Sequence, residues 1–240
     1  MTTTQAQAQA PALELRGISS GYGGTTVLRD VSLTVPRGGV VAVLGANGAG
    51  KTTLLRTVSG LVRPSAGTVV LDGGDITRTR PYQRARRGLC HVPEGRGVFR
   101  SLTVRENLVL QAGRGQVAEA TERVVAAFPV LGGRLDQVAG TLSGGQQQML
   151  AMAGAYVRRT RLVLVDEASL GLGPRVVDDV FDFLRELAAT GVSLLVVDQF
   201  VARALEIATH AYVLRRGRVA YDGDPQTLLD GSVFDRYVGT

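Results

Sequence analysis

At 240 residues and 45% apolar content, the chain can bury a sizeable core as one large domain or two closely joined lobes. Its formal charge of +6 invites a nucleic acid or an acidic membrane as partner, yet arginine-rich codon usage explains it more simply, and no nucleic-acid partner is expected. A single cysteine, Cys90, excludes an intrachain disulfide or thiolate cluster and fits a reducing compartment, while no uncharged apolar run approaches the roughly 20 residues that cross a bilayer.

The N-terminal MTTTQAQAQAPA is polar, without the apolar stretch of a secretory signal, and is expected to be a disordered leader over residues 1–12. From Leu13 to Val35 apolar residues alternate between turn signals at GYGG and PRGG, which predicts antiparallel strands. VVAVLG, Val40 to Gly45, is a continuous β-branched run of the kind buried in a parallel sheet, and helix formers follow from Thr52. Between them lies GANGAGKTT, Gly45 to Thr53, which holds the only lysine of the chain, Lys51, and fits G-x-x-x-x-G-K-[ST]. Gly45, Gly48 and Gly50 let the backbone curl around Asn47 so that successive N–H groups face a polyphosphate. The helix after it adds its positive end, Lys51 reaches the β and γ phosphates, and Thr52, beside Thr53, supplies a hydroxyl for Mg²⁺. A compact ammonium sits between two phosphates where a planar guanidinium is wider and fork-shaped.

The densest basic run, RTRPYQRARRG from Arg78 to Gly88, has one proline and one aromatic, lacks the stacking residues of a single-strand binder, and reads as a solvated helix face. From Pro93 to Tyr156 helical periodicity replaces the strand signal, which predicts an inserted helical lobe over about 93–156 within a domain spanning 13–240. RLVLVDE, Arg161 to Glu167, and VSLLVVDQ, Val192 to Gln199, repeat the buried-strand pattern, with a helix predicted over Arg175 to Ala189 between them. After His210 a hairpin and a short closing helix are expected. Strands interleaved with helices predict an α/β fold in which the polar strand ends converge on a ligand. There Asp166 holds Mg²⁺ through water and Glu167 polarises the water that attacks the γ phosphate.

TLSGGQQQML, Thr141 to Leu150, places Ser143, Gly144, Gly145 and Gln146 at a helix start, a second set of exposed anion-binding groups. With the phosphate loop and VLVDE, this stretch resembles the signature of ABC transporter ATP-binding subunits, and the resemblance covers Leu13 to about Tyr237. It implies a P-loop NTPase fold with a parallel core sheet, an antiparallel β subdomain and an inserted helical lobe. It also implies ATP and Mg²⁺ as cofactors, adenine stacked on Tyr22, and two such domains head to tail, so that Ser143 serves the phosphate loop of the other subunit.

Several positions depart from the broad family: Glu94 stands for a glutamine that meets the metal, Gln199 for the switch histidine, Ala168 for proline and Gly171 for aspartate. VPEGR, SLGLGP and Gln199 resemble the branch serving branched-chain amino-acid importers, within which Ala168, Asp198 and Phe200 still deviate. Gln199 donates a hydrogen bond but carries no charge, which leaves the transition-state charge to Lys51, Mg²⁺ and backbone donors. The resemblance implies membrane-embedded permease partners, a second ATPase subunit that makes a heterodimer or a homodimer, an extracytoplasmic substrate-binding protein, and a place on the cytoplasmic face of the cell membrane. Other cargo (urea or amides, or an exported lipid) and a soluble ATP-dependent clamp are the alternative readings; the clamp lacks support because the chain has neither heptads nor a second GKT.

Overall fold

The computed structural model describes residues 10–95, 97–112, 117–157 and 160–238. Residues 1–9 of the expected leader and Arg96 of VPEGR lie outside them. Ala12, at the other end of that leader, is buried and donates its N–H to the Val35 carbonyl.

β1 (Leu13–Tyr22) and β2 (Thr25–Val35) form an antiparallel hairpin, and β4 (Ala66–Leu71) with β5 (Gly74–Asp75) extends that sheet in the order β2-β1-β4-β5. The second sheet runs β10-β9-β3-β8-β7-β6. Its strands β3 (Val40–Leu44), β6 (Leu89–Val92), β7 (Leu162–Asp166), β8 (Ser193–Val197) and β9 (His210–Arg215) are parallel, and β10 (Arg218–Gly223) turns back antiparallel on β9. The parallel core and the antiparallel subdomain expected from the sequence are both present. β4 and β5 have no counterpart in the sequence reading, because their apolar run is short and lies between glycines.

The continuous apolar strands follow from burial on both faces. Alternate residues of β3 go to different cores: Val40, Ala42 and Leu44 face the helical side, and Val41 and Val43 face the antiparallel sheet. β7 splits in the same way, Val163 and Val165 to one core and Leu162 and Leu164 to the other. Helix α1 (Lys51–Ser59) lies with the second core through Leu54, Leu55 and Val58. The helical side holds α3 (Val104–Gln111), α4 (Val117–Ala127), α5 (Pro129–Gly132) and α6 (Gly144–Val157), and beyond β7 and β8 come α7 (Pro174–Ala189) and α8 (Val201–Ile207). α9 (Gly231–Val238) closes the described chain. No helix among the described residues is long and apolar enough to cross a membrane.

The basic run does form a helix, α2 (Pro81–Arg86), but its reading as a solvated face is corrected at Arg84, which is 1% exposed. The Arg84 guanidinium donates to the carbonyls of Thr57 (2.9 Å) and Val58 (2.6 Å) in the last turn of α1, and to Thr77 and Thr79 (3.0 Å each). The last carbonyls of a helix have no partners within it and carry partial negative charge, so a buried cation is stable there without a carboxylate at contact. Burial lowers the Arg84 pKa, with Asp75 offsetting in part. Gly60 makes the room: a Cβ there would lie 2.8 Å from Arg84 Nε. Arg84→Met keeps the bulk but removes the guanidinium donors from those carbonyls, of which Thr57 keeps the Gly60 N–H at 3.1 Å, and is expected to cost about 3 kcal/mol in urea denaturation. Gly60→Ala crowds the same guanidinium, and its loss should combine with that of Arg84→Met less than additively.

Candidate functional site

The end of β3 feeds a loop that only glycine can build at two points. Gly45 has φ +146°, and a Cβ on it would fall 2.3 Å from the Leu214 carbonyl oxygen; Gly50 has φ +110°, and a Cβ would fall 2.7 Å from Leu28 Cδ2. The turn delivers Lys51 to the first residue of α1, where its ammonium donates to the carbonyls of Gly45 (2.8 Å) and Ala46 (3.2 Å). Burial lowers the Lys51 pKa, while the charges of Glu167 and Asp166 pull it back up.

Thr52 Oγ1 donates to Asp166 Oδ1 at 3.2 Å, which ties α1 to the end of β7. Asp166 is 2% exposed, and its pKa is pushed up to about 6, mainly by burial and further by the charges of Glu167 and Glu94; the Thr52 hydrogen bond and Arg56 act the other way. Glu167 follows in the left-handed region at φ +47°, a conformation that costs a non-glycine residue about 1–2 kcal/mol. Its N–H donates to the Val197 carbonyl at 2.8 Å, so the end of β8 helps to hold that turn. A cavity of about 450 Å³ is lined by Val27, Asn47, Gly48, Gly50, Lys51, Thr52, Thr53 and Glu167. A second, of about 610 Å³, brings Tyr22, Arg56, His91, Glu94 and Asp166 together. Asp166 lines the second cavity and Thr52 the first, so their hydrogen bond joins the two walls.

The structure thus brings Lys51, Thr52 and Glu167 onto one wall and Asp166 and Glu94 onto the adjoining one. Tyr22, 44% exposed at the end of β1, lines the cavity of Glu94 and Asp166 rather than that of Lys51. Ser143, Gly144, Gly145 and Gln146 line neither cavity, and Gln199 is exposed and lines neither. The serine stretch closes on itself as a capping box: Gln146 N–H donates to Ser143 Oγ (3.4 Å), and Ser143 N–H donates to Gln146 Oε1 (3.2 Å). Gly145 is required inside the chain, where a Cβ would meet Val176 Cγ1 at 2.3 Å. At Gly144 a Cβ would meet Leu172 Cδ2 at an ordinary 3.6 Å, so packing within this chain does not account for that glycine.

For Mg²⁺ the fitting donors are the Thr52 hydroxyl and the Asp166 carboxylate, with Glu94 facing the same cavity as Asp166. They are hard oxygens, and the charges of Glu167 and Glu94, which add to burial in raising the Asp166 pKa, are what a dication relieves. No group of three or more His, Cys, Asp or Glu side chains among the described residues is arranged to hold a metal alone.

Sequence reasoning missed Arg56 and His91, which carry no motif and reach the cavity only through α1 and β6. It noted Asp198 as a deviation without a role. The structure buries Asp198 against Ser169, in the turn after Glu167.

Residues 28–170 match the profile of the ABC transporter family. The chain is 39% identical over 223 residues to a probable branched-chain amino acid transport ATP-binding protein LivF of Archaeoglobus fulgidus (91% of this chain, 94% of the other). It is 38% identical to the high-affinity branched-chain amino acid transport ATP-binding protein BraG of Pseudomonas aeruginosa (92% and 97%). It is 33% identical to the lipopolysaccharide export system ATP-binding protein LptB of Haemophilus influenzae (95% and 97%). Among solved structures, a nucleotide-free ATP-binding cassette from an ABC transporter superposes with a TM-score of 0.86 at 24% identity, covering 96% of this chain and all of that one. The ADP conformation of another such cassette gives 0.82 at 25%, covering 96% and 99%.

His91 gives the site a pH signature. Burial, then the charge of Arg56, lower its pKa to about 4, and its Nε2 is buried without a hydrogen-bond partner. The unfolded chain takes up this proton first, so the contribution of His91 to stability is full above about pH 6.5 and is lost as pH falls toward 4. Asp166 acts oppositely: its folded pKa is raised, so its contribution is lost as pH rises through about 6. Replacing His91 with Leu removes the first effect. Between pH 6.5 and 4 the wild type should lose on the order of 2 kcal/mol relative to His91→Leu, read from urea unfolding at each pH.

Proposed function

Because the chain belongs to the ABC transporter family as an ATP-hydrolysing subunit, we propose that it powers an importer of branched-chain or related amino acids by hydrolysing ATP on the wall formed by Lys51, Thr52 and Glu167. The observation that carries the chemistry is the joining of that wall to Asp166 through the Thr52 hydrogen bond, with Glu167 next in the chain. Lys51 leaves the Gly45 and Ala46 carbonyls for the β and γ phosphates, and the backbone N–H groups of Asn47 to Thr53 take the remaining phosphate oxygens. Glu167 accepts a proton from the attacking water, and Gln199 donates a hydrogen bond to the γ phosphate. Thr52, Asp166 and Glu94 would hold Mg²⁺, directly or through water, and the ion when bound supplies charge neutralisation between the phosphates. Tyr22 stacks on adenine, which requires the nucleotide to extend toward the second cavity.

The signature stretch lines neither cavity of its own chain, which supports a composite site in which Ser143, Gly144, Gly145 and Gln146 of one subunit face the phosphate loop of another. The tolerance of Gly144 for a side chain within its own chain agrees with that arrangement. A second ATPase subunit completes the pair as a heterodimer, or an identical copy completes a homodimer.

Permease subunits embedded in the membrane dock on the segment from Glu94 to Asn107. Asn107, fully buried, accepts from Phe99 N–H (2.8 Å) and donates to the carbonyls of Phe99 (3.0 Å) and Thr103 (2.9 Å). The stretch from Phe99 to Thr103 is thereby held firm while Phe99 stays 58% exposed, a rigid apolar contact. On this reading the chain sits at the cytoplasmic face of the membrane, in a system that includes an extracytoplasmic binding protein.

The amino-acid cargo draws support from the LivF and BraG likeness, which exceeds that to LptB; the LptB likeness favours lipid export as the second reading. Cells carrying Glu167→Gln in the chromosomal gene should lose uptake of labelled leucine, isoleucine and valine. Unchanged uptake with a displaced envelope lipid would favour export instead. In the purified chain, Glu167→Gln should cut turnover by roughly a hundredfold or more while keeping ATP binding and ATP-dependent association. Turnover within about twofold of wild type would remove Glu167 from the water-polarising role. Lys51→Arg, which keeps the charge but widens the head group, should weaken ATP binding by about tenfold or more in equilibrium titration.

A further inference from the structure

We propose that Asp198 is a positioning residue that locks the turn carrying Glu167 to the segment presenting Gln199, so that the two side chains keep one relative placement. The inference rests on the hydrolytic roles proposed above for those two residues.

Asp198 and Ser169 are 3% and 0% exposed, and they come from different segments of the chain. Asp198 Oδ2 accepts the Ser169 backbone N–H at 3.3 Å; Oδ1 accepts the Ser169 hydroxyl and, at 3.0 Å, the Phe200 N–H. No ion pair among the described residues includes Asp198, so these donors carry its charge. One carboxylate therefore holds the residue two places after Glu167 and the residue directly after Gln199. A parallel tie runs beside it, from Glu167 N–H to the Val197 carbonyl at 2.8 Å. Together the two ties fix the left-handed turn at Glu167 from both sides, and an unfavourable backbone persists only where its surroundings over-determine it.

The hydrogen bond to Phe200 N–H alone is an ordinary way to start α8, and would need nothing from Ser169. Both Ser169 donors converge on the same carboxylate, and this second set of bonds links the two functional segments. Asparagine cannot reproduce the arrangement. Whichever way its amide is turned, an NH₂ group faces either the Ser169 N–H or the Phe200 N–H, and one backbone donor loses its acceptor.

The test compares Asp198→Asn, Ser169→Ala, Gln199→Ala and the double variant Asp198→Asn/Gln199→Ala in the full chain, reading kcat, ATP affinity and Tm for each. Asp198→Asn should lower kcat by about tenfold while ATP affinity stays within about twofold, and Ser169→Ala, which removes one hydrogen bond, by about threefold. In the Gln199→Ala background the Asp198 change should cost clearly less than it does alone, because the placement it secures is no longer used. Equal fold-losses in both backgrounds, tracking the fall in Tm, would reduce Asp198 to a fold-stabilising residue. Unchanged kcat in both Asp198→Asn and Ser169→Ala would also overturn the proposal. Should Asp198→Asn not fold, Ser169→Ala with and without Gln199→Ala decides the matter by the same comparison. The premise is checked separately: turnover retained in Glu167→Gln would refute the assigned hydrolytic role, whereas lost turnover there with additive Asp198 and Gln199 effects refutes only the lock.

Discussion

A helix packed beside a buried sheet must satisfy its terminal carbonyls without water, and Arg84 meets this constraint for α1. The functional geometry begins at the other end of that helix. Lys51 and Thr52 occupy its first turn, so any tilt of α1 moves the ammonium and the hydroxyl together relative to Asp166. The guanidinium also reaches Thr77 and Thr79 on the path from β5 to α2, which anchors the helix to the antiparallel subdomain. Gly60 and Arg84 form one structural unit, since the absence of a side chain at the first creates the space for the second. Placement of the phosphate loop therefore depends on contacts made at the far end of its helix.

Around that helix the sheet distributes its polar strand ends by register. Asp166 lies opposite Val197, so Glu167 and Asp198 emerge side by side from β7 and β8, and β3 delivers the glycine loop on the other side of β8. Parallel strands put all three ends at one edge of the sheet, where neighbouring elements share hydrogen bonds instead of each being capped alone. The turn after β7 illustrates this: Glu167 leans on the end of β8 through its backbone, and Ser169 leans on it through Asp198.

Features that depend on local chain geometry could be read from the sequence. The glycines of GANGAGKTT announce a turn because their backbone angles are intrinsic to the residue, and VVAVLG and RLVLVDE announce strands buried on both faces because they never alternate. SGGQ reads as a helix start because its capping box closes within four residues. Arg84 was misread because its burial depends on carbonyls more than twenty residues away and on the missing side chain of Gly60. His91 and Arg56 gave no signal, since each looks like an ordinary residue of a strand or helix until tertiary packing turns it toward Asp166. Asp198 stood out only as an unusual letter, and its meaning depends on Ser169 in another segment. Tyr22 was reached only through the family resemblance, and its place beside Glu94 rather than Lys51 depends on how the two sheets meet.

The internal bonds of Lys51 and Ser143 bear on what an incoming anion meets. The ammonium rests on two carbonyls of its own loop, and the serine hydroxyl rests on the N–H of Gln146. Each of these polar groups is thus engaged within its own chain. Under the proposed roles the ammonium would exchange its carbonyls for phosphate oxygens, whereas the serine hydroxyl can go on accepting from Gln146 while its own O–H donates to an anion. Under those roles the two faces of a composite site are unequal: one exchanges bonds for the anion, and the other only adds one.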